Sequence, residues 1–253
     1  MAAFFLFANG QAGTSVVTIK NAAGTVLGTK SVVFTDTVVS SITATVLKPT
    51  VSGDATTAST NVIKLVLKDA AGNAMTSVGT YPTAKSSDAT IASASQNSSA
   101  GVADTATVNA SGEVFWGITP AAAAKYGKVT ITFTAGTVTA TADVTLSSAK
   151  ASTLTITSAA VTAGAAVDHV ITALDANGYA IPEGSLLSDY VSAHTTTGGI
   201  ATDTDITTAN KSVKGVWTVS GVAPLASTTL KTTYTLTGTA ATAAVHLSSV
   251  PHL

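Results

Sequence analysis

The stretch that decides the fold is Ile63-Lys64-Leu65-Val66-Leu67-Lys68-Asp69-Ala70-Ala71-Gly72-Asn73. Apolar Ile63, Leu65 and Leu67 alternate with Lys64, Val66 and Lys68. A period of two is the pattern of a β-strand with one face on a core. The Asp-Ala-Ala-Gly that follows is typical of a tight turn, because glycine adopts positive φ without steric cost. The stretch therefore predicts a half-buried strand that ends in a turn.

The same strand and turn return 106 residues later as Ala173-Leu174-Asp175-Ala176-Asn177-Gly178. Two further landmarks repeat at an offset of 101: Trp116 returns as Trp217, and Val144-Thr145-Leu146-Ser147-Ser148 returns as Val245-His246-Leu247-Ser248-Ser249. A fixed period in a sequence indicates tandem copies of one structural unit. The unit here is about one hundred residues long, the size of an immunoglobulin-like sandwich.

A partial copy lies near the N-terminus, at an offset of 112. Val17-Thr18-Ile19 matches Val129-Thr130-Ile131, and Gly24-Thr25-Val26 matches Gly136-Thr137-Val138. We therefore expect residues 1–36 to be the closing strands of a partial module, followed by complete modules at 37–148 and 149–253. The junctions between them are short and contain no run of glycine, serine or proline, which favours a stiff arrangement.

Further alternating runs predict more strands. Val129, Ile131 and Phe133 alternate with threonines and lead to a closing hairpin with its turn at Ala135-Gly136. In the last module Val170 and Leu174 indicate one set of alternate residues that could face the core, whereas Ile171 leaves the other set possible. Trp116 and Trp217 are expected in the cores, between two sheets. Short strands with frequent turn signals predict an all-β chain of tandem immunoglobulin-like β-sandwiches with a partial N-terminal module.

Residues 41–148 and 152–249 resemble bacterial immunoglobulin-like domains of the invasin/intimin type. The matching residues are the strand and turn that end at Gly72-Asn73 and the stretch from Ala173 through Gly178-Tyr179-Ala180-Ile181-Pro182. Domains of this family occur in adhesins, surface-layer proteins and some phage virion proteins. The resemblance implies a fold, while function has to be argued from sites.

The composition excludes several functional classes. All 12 basic residues among the 253 are lysines, charged residues make up 10%, and the net charge is −1. Nucleic acids and anionic membranes select strongly basic, arginine-bearing surfaces, so neither is an expected partner. The chain has no cysteine, which excludes disulfides and thiolate metal sites. The sequence contains no run of 18 apolar residues, so it predicts no membrane-spanning helix. Residues 1–8 are apolar but lack the basic start of a signal peptide.

The sequence predicts no enzyme. The four histidines stand outside any metal-ligand spacing, and no nucleophile elbow, phosphate-binding loop or dinucleotide fingerprint occurs. A glycosidase needs two placed carboxylates, which the 13 scattered acidic residues do not suggest. We expect no catalytic residue and no bound organic cofactor.

Calcium is the one cofactor candidate. Asp203 and Asp205 are two residues apart, a spacing that supplies oxygen ligands to Ca²⁺, and Asp69 and Asp175 could add theirs at the turns. A calcium site needs six or more oxygens, and two carboxylates in a loop are more often solvated. The four aspartates therefore stand as candidates beside that simpler interpretation.

The resulting functional hypothesis is a non-catalytic subunit of an extracellular surface layer or a similar self-assembling array at the cell surface. The alternative is an adhesin stalk, or an immunoglobulin-like binding module associated with a phage virion, whose recognition loop would be residues 186–206. Contacts between modules of identical chains would build the array, and few charges would permit close packing.

Residues 1–36 carry a hypothesis of their own. Three strands bearing the apolar residues of this segment cannot bury them alone; these are Phe4, Phe5, Phe7, Val17, Ile19 and Phe34. Either the array continues beyond this chain, or a neighbouring molecule complements the segment with its own strands.

Overall fold

The protein is described by a computed structural model that covers residues 6–7, 11–97, 108–109, 111–158, 166–197, 211–222, 229–236 and 242–248. These residues form sixteen β-strands and one short 3-10 helix. Every strand pairing among them lies within one of three units: a hairpin at 13–34, a central sandwich at 41–147 and a C-terminal sandwich at 153–248. None of the described segments is a helix long and apolar enough to cross a membrane.

The central sandwich has the immunoglobulin strand order. Its strands are β3 (Ser41–Val46), β4 (Thr50–Ser52), β5 (Ser59–Lys68), β6 (Thr83–Ser86), β7 (Ala92–Asn97), β8 (Glu113–Pro120), β9 (Gly127–Ala135) and β10 (Val138–Ser147). One sheet has the order β3-β5-β8-β7 and the other the order β4-β10-β9-β6. These are the ABED and CFG sheets of an immunoglobulin fold, with the first strand divided between the two sheets.

The chain changes sheets at Lys48-Pro49. β3 pairs antiparallel with β5 on one side, and β4 pairs parallel with β10 on the other. Proline cannot donate to a strand ladder, so it suits the short break between them. The crossing places β4 and the loop after it beside the end of β10, where the next sandwich begins.

The core confirms the predicted alternation. Ile63, Leu65 and Leu67 are fully buried, and Val129, Ile131, Phe133, Val144 and Leu146 meet them from the facing sheet. Trp116 packs edge-on against Phe133, with ring centroids 5.2 Å apart, so it joins the two sheets as predicted. The closing turn occupies Gly136-Thr137, one residue later than expected, because Ala135 still pairs with Val138.

The C-terminal sandwich repeats this plan with fewer described strands. They are β11 (Thr153–Ser158), β12 (Ala166–Leu174), β13 (Val191–Thr197), β14 (Val216–Val222), β15 (Thr229–Leu236) and β16 (Thr242–Ser248). The sheets have the orders β11-β12-β14 and β13-β15-β16. Trp217 is buried on β14, and its ring lies 5.3 Å from that of Tyr190.

Two expectations for this sandwich need correction. Ile171 and Ala173 are fully buried, whereas Val170 is 36% exposed, so the core phase is the one that Ile171 sets. The predicted loop at 186–206 is also different in its first half. Residues Leu187–Asp189 form the 3-10 helix and Val191–Thr197 form β13, while 198–206 lie outside the described residues.

The N-terminal hairpin consists of β1 (Gly13–Lys20) and β2 (Val26–Phe34), and neither strand pairs with any other described strand. Its register differs from that of its counterpart. In β9–β10 Val129 pairs with Val144, but Val17 pairs with Lys30, two residues from the position that the repeat predicts. A shift of two residues keeps every side chain on its face.

The two tryptophans give a matched test of core energetics. The indole Nε1 of Trp217 donates to the carbonyl of Ser185 at 2.9 Å, whereas that of Trp116 is buried without a partner. A buried unpaired donor costs about 1–3 kcal/mol. Both Trp→Phe changes lose packing, but only Trp217→Phe also breaks a hydrogen bond. We expect Trp217→Phe to destabilise its sandwich more than Trp116→Phe does, by about 1–2 kcal/mol.

Urea unfolding followed by circular dichroism measures the difference, and the fluorescence of the remaining tryptophan assigns each transition. Equal losses in the two variants would contradict the expectation.

Candidate functional site at the module junctions

The most elaborate polar geometry in the described residues surrounds Asp69. Its side chain is only 3% exposed, and its Oδ1 accepts the backbone N–H groups of Ala71 at 3.0 Å and Asn73 at 2.9 Å. Gly72 has φ +80, a conformation that glycine adopts without strain, and its N–H donates to the Asp69 carbonyl. The carboxylate thus closes the turn that follows β5.

The second oxygen of Asp69 reaches out of the turn to the preceding segment of the chain. Oδ2 accepts the backbone N–H of Asp36 at 3.3 Å. Four residues later the N–H of Ser40 donates to the carbonyl of Lys68, the residue before Asp69, at 2.8 Å. The carbonyl of Thr37 accepts the N–H of Gly79 at 2.8 Å. Residues 36–40, between the hairpin and the central sandwich, are therefore held at both ends.

Asp175 repeats this arrangement at the second junction. Its side chain is 2% exposed, and Oδ1 accepts the N–H groups of Asn177 at 2.8 Å and Tyr179 at 3.0 Å. Oδ2 accepts the N–H of Ser148 at 3.0 Å. The N–H of Ser152 then donates to the carbonyl of Leu174 at 2.7 Å.

We call Asp69 and Asp175 the junction aspartates, and residues 36–40 and 148–152 the links. Asp36 and Ser148, and likewise Ser40 and Ser152, are separated by the same 112 residues that relate the N-terminal copy to the central one. Both links therefore make the same two bonds, one to the carboxylate and one to the carbonyl before it.

The second junction has contacts that the sequence did not predict. Asp54 Oδ2 accepts the N–H of Ala149 at 2.7 Å, and Asp54 Oδ1 accepts the hydroxyl of Tyr126 at 2.7 Å. The N–H of Glu183 donates to the carbonyl of Thr50 at 2.8 Å and ties the two sandwiches directly. Asp54 lies 95 residues from Ala149, so no local pattern in the sequence could reveal the pair.

The hydrogen bonds change the acidity of these groups. Burial disfavours the charged form of Asp69, but the N–H groups of Asn73 and Asp36 outweigh it and lower its pKa. Burial likewise opposes ionisation of Asp54, yet the bonds from Ala149 and Tyr126 lower its pKa. The same bond to Asp54 raises the pKa of Tyr126. Both carboxylates are therefore held in the charged, accepting form.

The calcium candidates are not brought together. Asp203 and Asp205 lie outside the described residues, and the partners found around Asp69 and Asp175 are N–H donors rather than oxygen ligands. In the described part of the chain, no three His, Asp or Glu side chains form a group able to hold a metal ion. Calcium binding stays a prediction, while the geometry of the junction aspartates explains their burial without it.

One groove of about 350 Å³ lies beside the N-terminal hairpin. Its lining includes Leu6, Phe7, Val17 and Phe34 and contains no acidic or basic side chain. Acid–base or nucleophilic catalysis requires a titratable group at the reacting atoms. The described lining is mixed, because Gln11, Thr14 and Ser15 stand beside these apolar side chains.

Acidification should weaken the central sandwich, since five carboxylates in or beside it have lowered pKa values: Asp54, Asp69, Asp88, Glu113 and Asp143. A carboxylate with a lowered folded-state pKa contributes stability above its unfolded pKa and loses it as the pH falls through the folded value. We expect the free energy of unfolding to be level near neutrality and to fall below about pH 4.

Urea unfolding at a series of pH values measures how steeply the free energy of unfolding falls with pH. This dependence should be shallower in Asp69→Asn than in the wild type. An identical slope in both proteins would contradict a role for Asp69 in it.

Gly53 offers a test of packing at the second junction. Its N–H donates to the carbonyl of Ser147, and an added Cβ would overlap the carbonyl oxygen of Lys125 and lie 3.0 Å from the ring of Tyr126. We expect Gly53→Ala to destabilise the protein by about 1–3 kcal/mol because backbone must move. Gly28→Ala is the matched control, since its Cβ would meet nothing within 4 Å. Chemical denaturation measures the free energy of unfolding of both variants. Similar values for Gly53→Ala and Gly28→Ala would contradict the expectation.

No protein-family model matches this sequence, and no curated protein matches it. Solved structures do show likeness. The Escherichia coli adhesin FdeC is 18% identical over 95% of this chain and 75% of its own, with a TM-score of 0.39. Domains 5–6 of the surface-layer protein SbsC are 22% identical over 85% of this chain and 99% of theirs, with a TM-score of 0.32.

The bacterial integrin-binding protein invasin is 16% identical over 95% of this chain and 46% of its own, with a TM-score of 0.35. These proteins are of the two kinds that the sequence resemblance names, invasin-type adhesins and surface-layer proteins. Because all three TM-scores lie below 0.5, the immunoglobulin-like fold of this chain rests on its own strand order.

Proposed function

We propose that this chain is a non-catalytic structural subunit of an extracellular surface layer or a similar self-assembling array. The observation that carries the proposal is the uncovered apolar face of the N-terminal hairpin. The register places Val17, Ile19, Val32 and Phe34 on one face together with Lys30, which pairs with Val17, and none of the four apolar residues is buried. Ile19 is 39% exposed.

The repeat identifies what this face lacks. Its four residues correspond to Val129, Ile131, Val144 and Leu146, all of them buried in the central sandwich against the sheet of β3, β5 and β8. On the hairpin Val17, Val32 and Phe34 are half-buried and Ile19 is exposed. Full burial of such a side chain contributes about 1.5–3 kcal/mol, so completing their burial favours association. The groove lined by Phe7, Val17 and Phe34 lies on the same unit.

The partner that we propose for this face is a second copy of the chain. With 10% charged residues and a net charge of −1, two copies repel each other little when they approach closely. One such contact per chain would join subunits in series, with residues 1–36 as the complemented segment. The held links would keep the sandwiches at fixed angles, as a regular array requires.

The place of such an array is the cell surface. Modules free of cysteine and arginine and poor in charge suit a protein whose task is lateral packing. A virion surface is the alternative location.

The held links also favour an alternative function, a stiff stalk of an adhesin or a phage-associated binding module. A stalk needs the same fixed angles but no contact between copies. Self-association of the purified chain therefore separates the two proposals.

The test compares two faces of the same strand. Val17→Asp places a charge on the apolar face, and Val16→Asp places it on the opposite face, where Val16 is 63% exposed. Electron microscopy and sedimentation velocity follow assembly of the full chain. We expect the wild type and Val16→Asp to assemble, and Val17→Asp to need at least about tenfold more protein to do so.

Equal assembly of both variants would exclude the hairpin face as the contact. A wild-type chain that stays monomeric at high concentration, with or without calcium, would reject the array in favour of the stalk.

A further inference from the structure

The sequence pattern D/N-x-x-G of the junction aspartates occurs four times in this chain, twice with aspartate and twice with asparagine. The four turns are Asn21-Ala22-Ala23-Gly24-Thr25, Asp69-Ala70-Ala71-Gly72-Asn73, Asn109-Ala110-Ser111-Gly112-Glu113 and Asp175-Ala176-Asn177-Gly178-Tyr179. In each one the N–H of the fifth residue donates to the side-chain Oδ1 of the first, at 2.9–3.0 Å. In each one the glycine N–H donates to the carbonyl of the first residue, at 3.0–3.1 Å.

Asparagine therefore closes this turn as well as aspartate does. The backbone bonds of the turn use only one side-chain oxygen, and both residue types have it. The first residue also donates its own N–H to the fifth carbonyl in all four turns, at 2.8–3.1 Å. The requirements of the turn itself thus do not explain why positions 69 and 175 are aspartates.

The second side-chain atom separates the two pairs. At Asp69 and Asp175 this atom is an oxygen that accepts a link N–H, from Asp36 and Ser148. At Asn109 it is Nδ2, which donates to Glu113 Oε2 at 2.9 Å within the same turn. An amide has a single oxygen, so asparagine cannot accept from the turn on one atom and from a link on the other.

Burial makes this difference matter. Because both junction aspartates are at least 97% buried, water cannot replace a lost partner, and an N–H facing another N–H would be unpaired. In each carboxylate Oδ1 accepts the backbone N–H groups of the turn and Oδ2 accepts the link N–H, and Asp69 Oδ2 also accepts the side-chain amide of Asn73 at 3.5 Å. Both needs are met only by aspartate.

We infer that the junction aspartates are positioning residues that fix the direction of the chain entering each sandwich, separately from their role in the turn. Oδ2 holds the first residue of the link, and the carbonyl of the residue before the aspartate holds the last. This pair of bonds fixes the direction of each link, and the bonds of Ala149 to Asp54 and of Glu183 to Thr50 add to it at the second junction. The inference concerns the geometry of the chain and holds whether the protein builds an array or a stalk.

Asp175→Asn in the full chain is the direct test, read by amide hydrogen exchange with NMR. We expect the Ser148 N–H to exchange at least about tenfold faster, while the N–H groups of Asn177 and Tyr179 keep their protection. Asp69→Asn should act in the same way on the N–H of Asp36 alone. Residual dipolar couplings should show a wider range of angles at the junction that each variant alters.

Two matched variants isolate the link contact. Asn109→Asp adds a carboxylate to the same turn away from any link. Asp88→Asn removes a charge from a turn whose carboxylate accepts the N–H and hydroxyl of Thr90, inside the central sandwich. Neither should change exchange at Ser148 or the angles between units.

Three results would overturn the inference. Unchanged protection of Ser148 in Asp175→Asn would show that the link is held by other contacts. Loss of protection at Asn177 and Tyr179 together with Ser148 would show that the carboxylate acts through the turn. An Asp175→Asn chain with an unfolded C-terminal sandwich would show that asparagine is not equivalent to aspartate in this turn.

Discussion

A carboxylate removed from water must have its oxygens occupied by hydrogen-bond donors, and this constraint organises the protein beyond its sandwiches. The turn after β5 or β12 supplies N–H groups for one oxygen of its aspartate. The other oxygen has to find its donor elsewhere, and the chain that enters the sandwich provides it. A local requirement for hydrogen bonding thus becomes a long-range rule about how consecutive units are joined.

The sandwiches themselves depend on a simpler principle. Alternating apolar residues on β5, β9 and β10 face inward and bury their surface between two sheets. This part of the fold is readable from the sequence, because a period of two is preserved wherever one face is covered. The repeat of Trp116 at Trp217 is readable for the same reason, since each must fill an equivalent space in its core.

The structural features that the sequence does not predict depend on contacts between residues far apart in the chain. The sequence indicated that 1–36 copies the closing hairpin, but the shift of two residues in its pairing is set by the wider turn at Asn21, which holds Thr25 through its side chain. The sequence identifies Asp69 and Asp175 as turn residues and as candidate calcium ligands. Their second role involves Asp36 and Ser148, 33 and 27 residues away, and no spacing rule joins them. The pattern of four D/N-x-x-G turns was the available signal.

The order in which the chain is synthesised determines when each link can bind its junction aspartate. A ribosome completes the central sandwich at Ser147 and releases the link long before it reaches Asp175, which comes 27 residues after Ser148. At about 5–20 residues per second, that interval is of the order of seconds, far longer than a link of this length needs to sample its orientations. The central sandwich can thus complete its own sheets before the link that follows it is bound. Asp175 precedes β13–β16 in the chain, so its bond to Ser148 can orient the link before the C-terminal sandwich is complete.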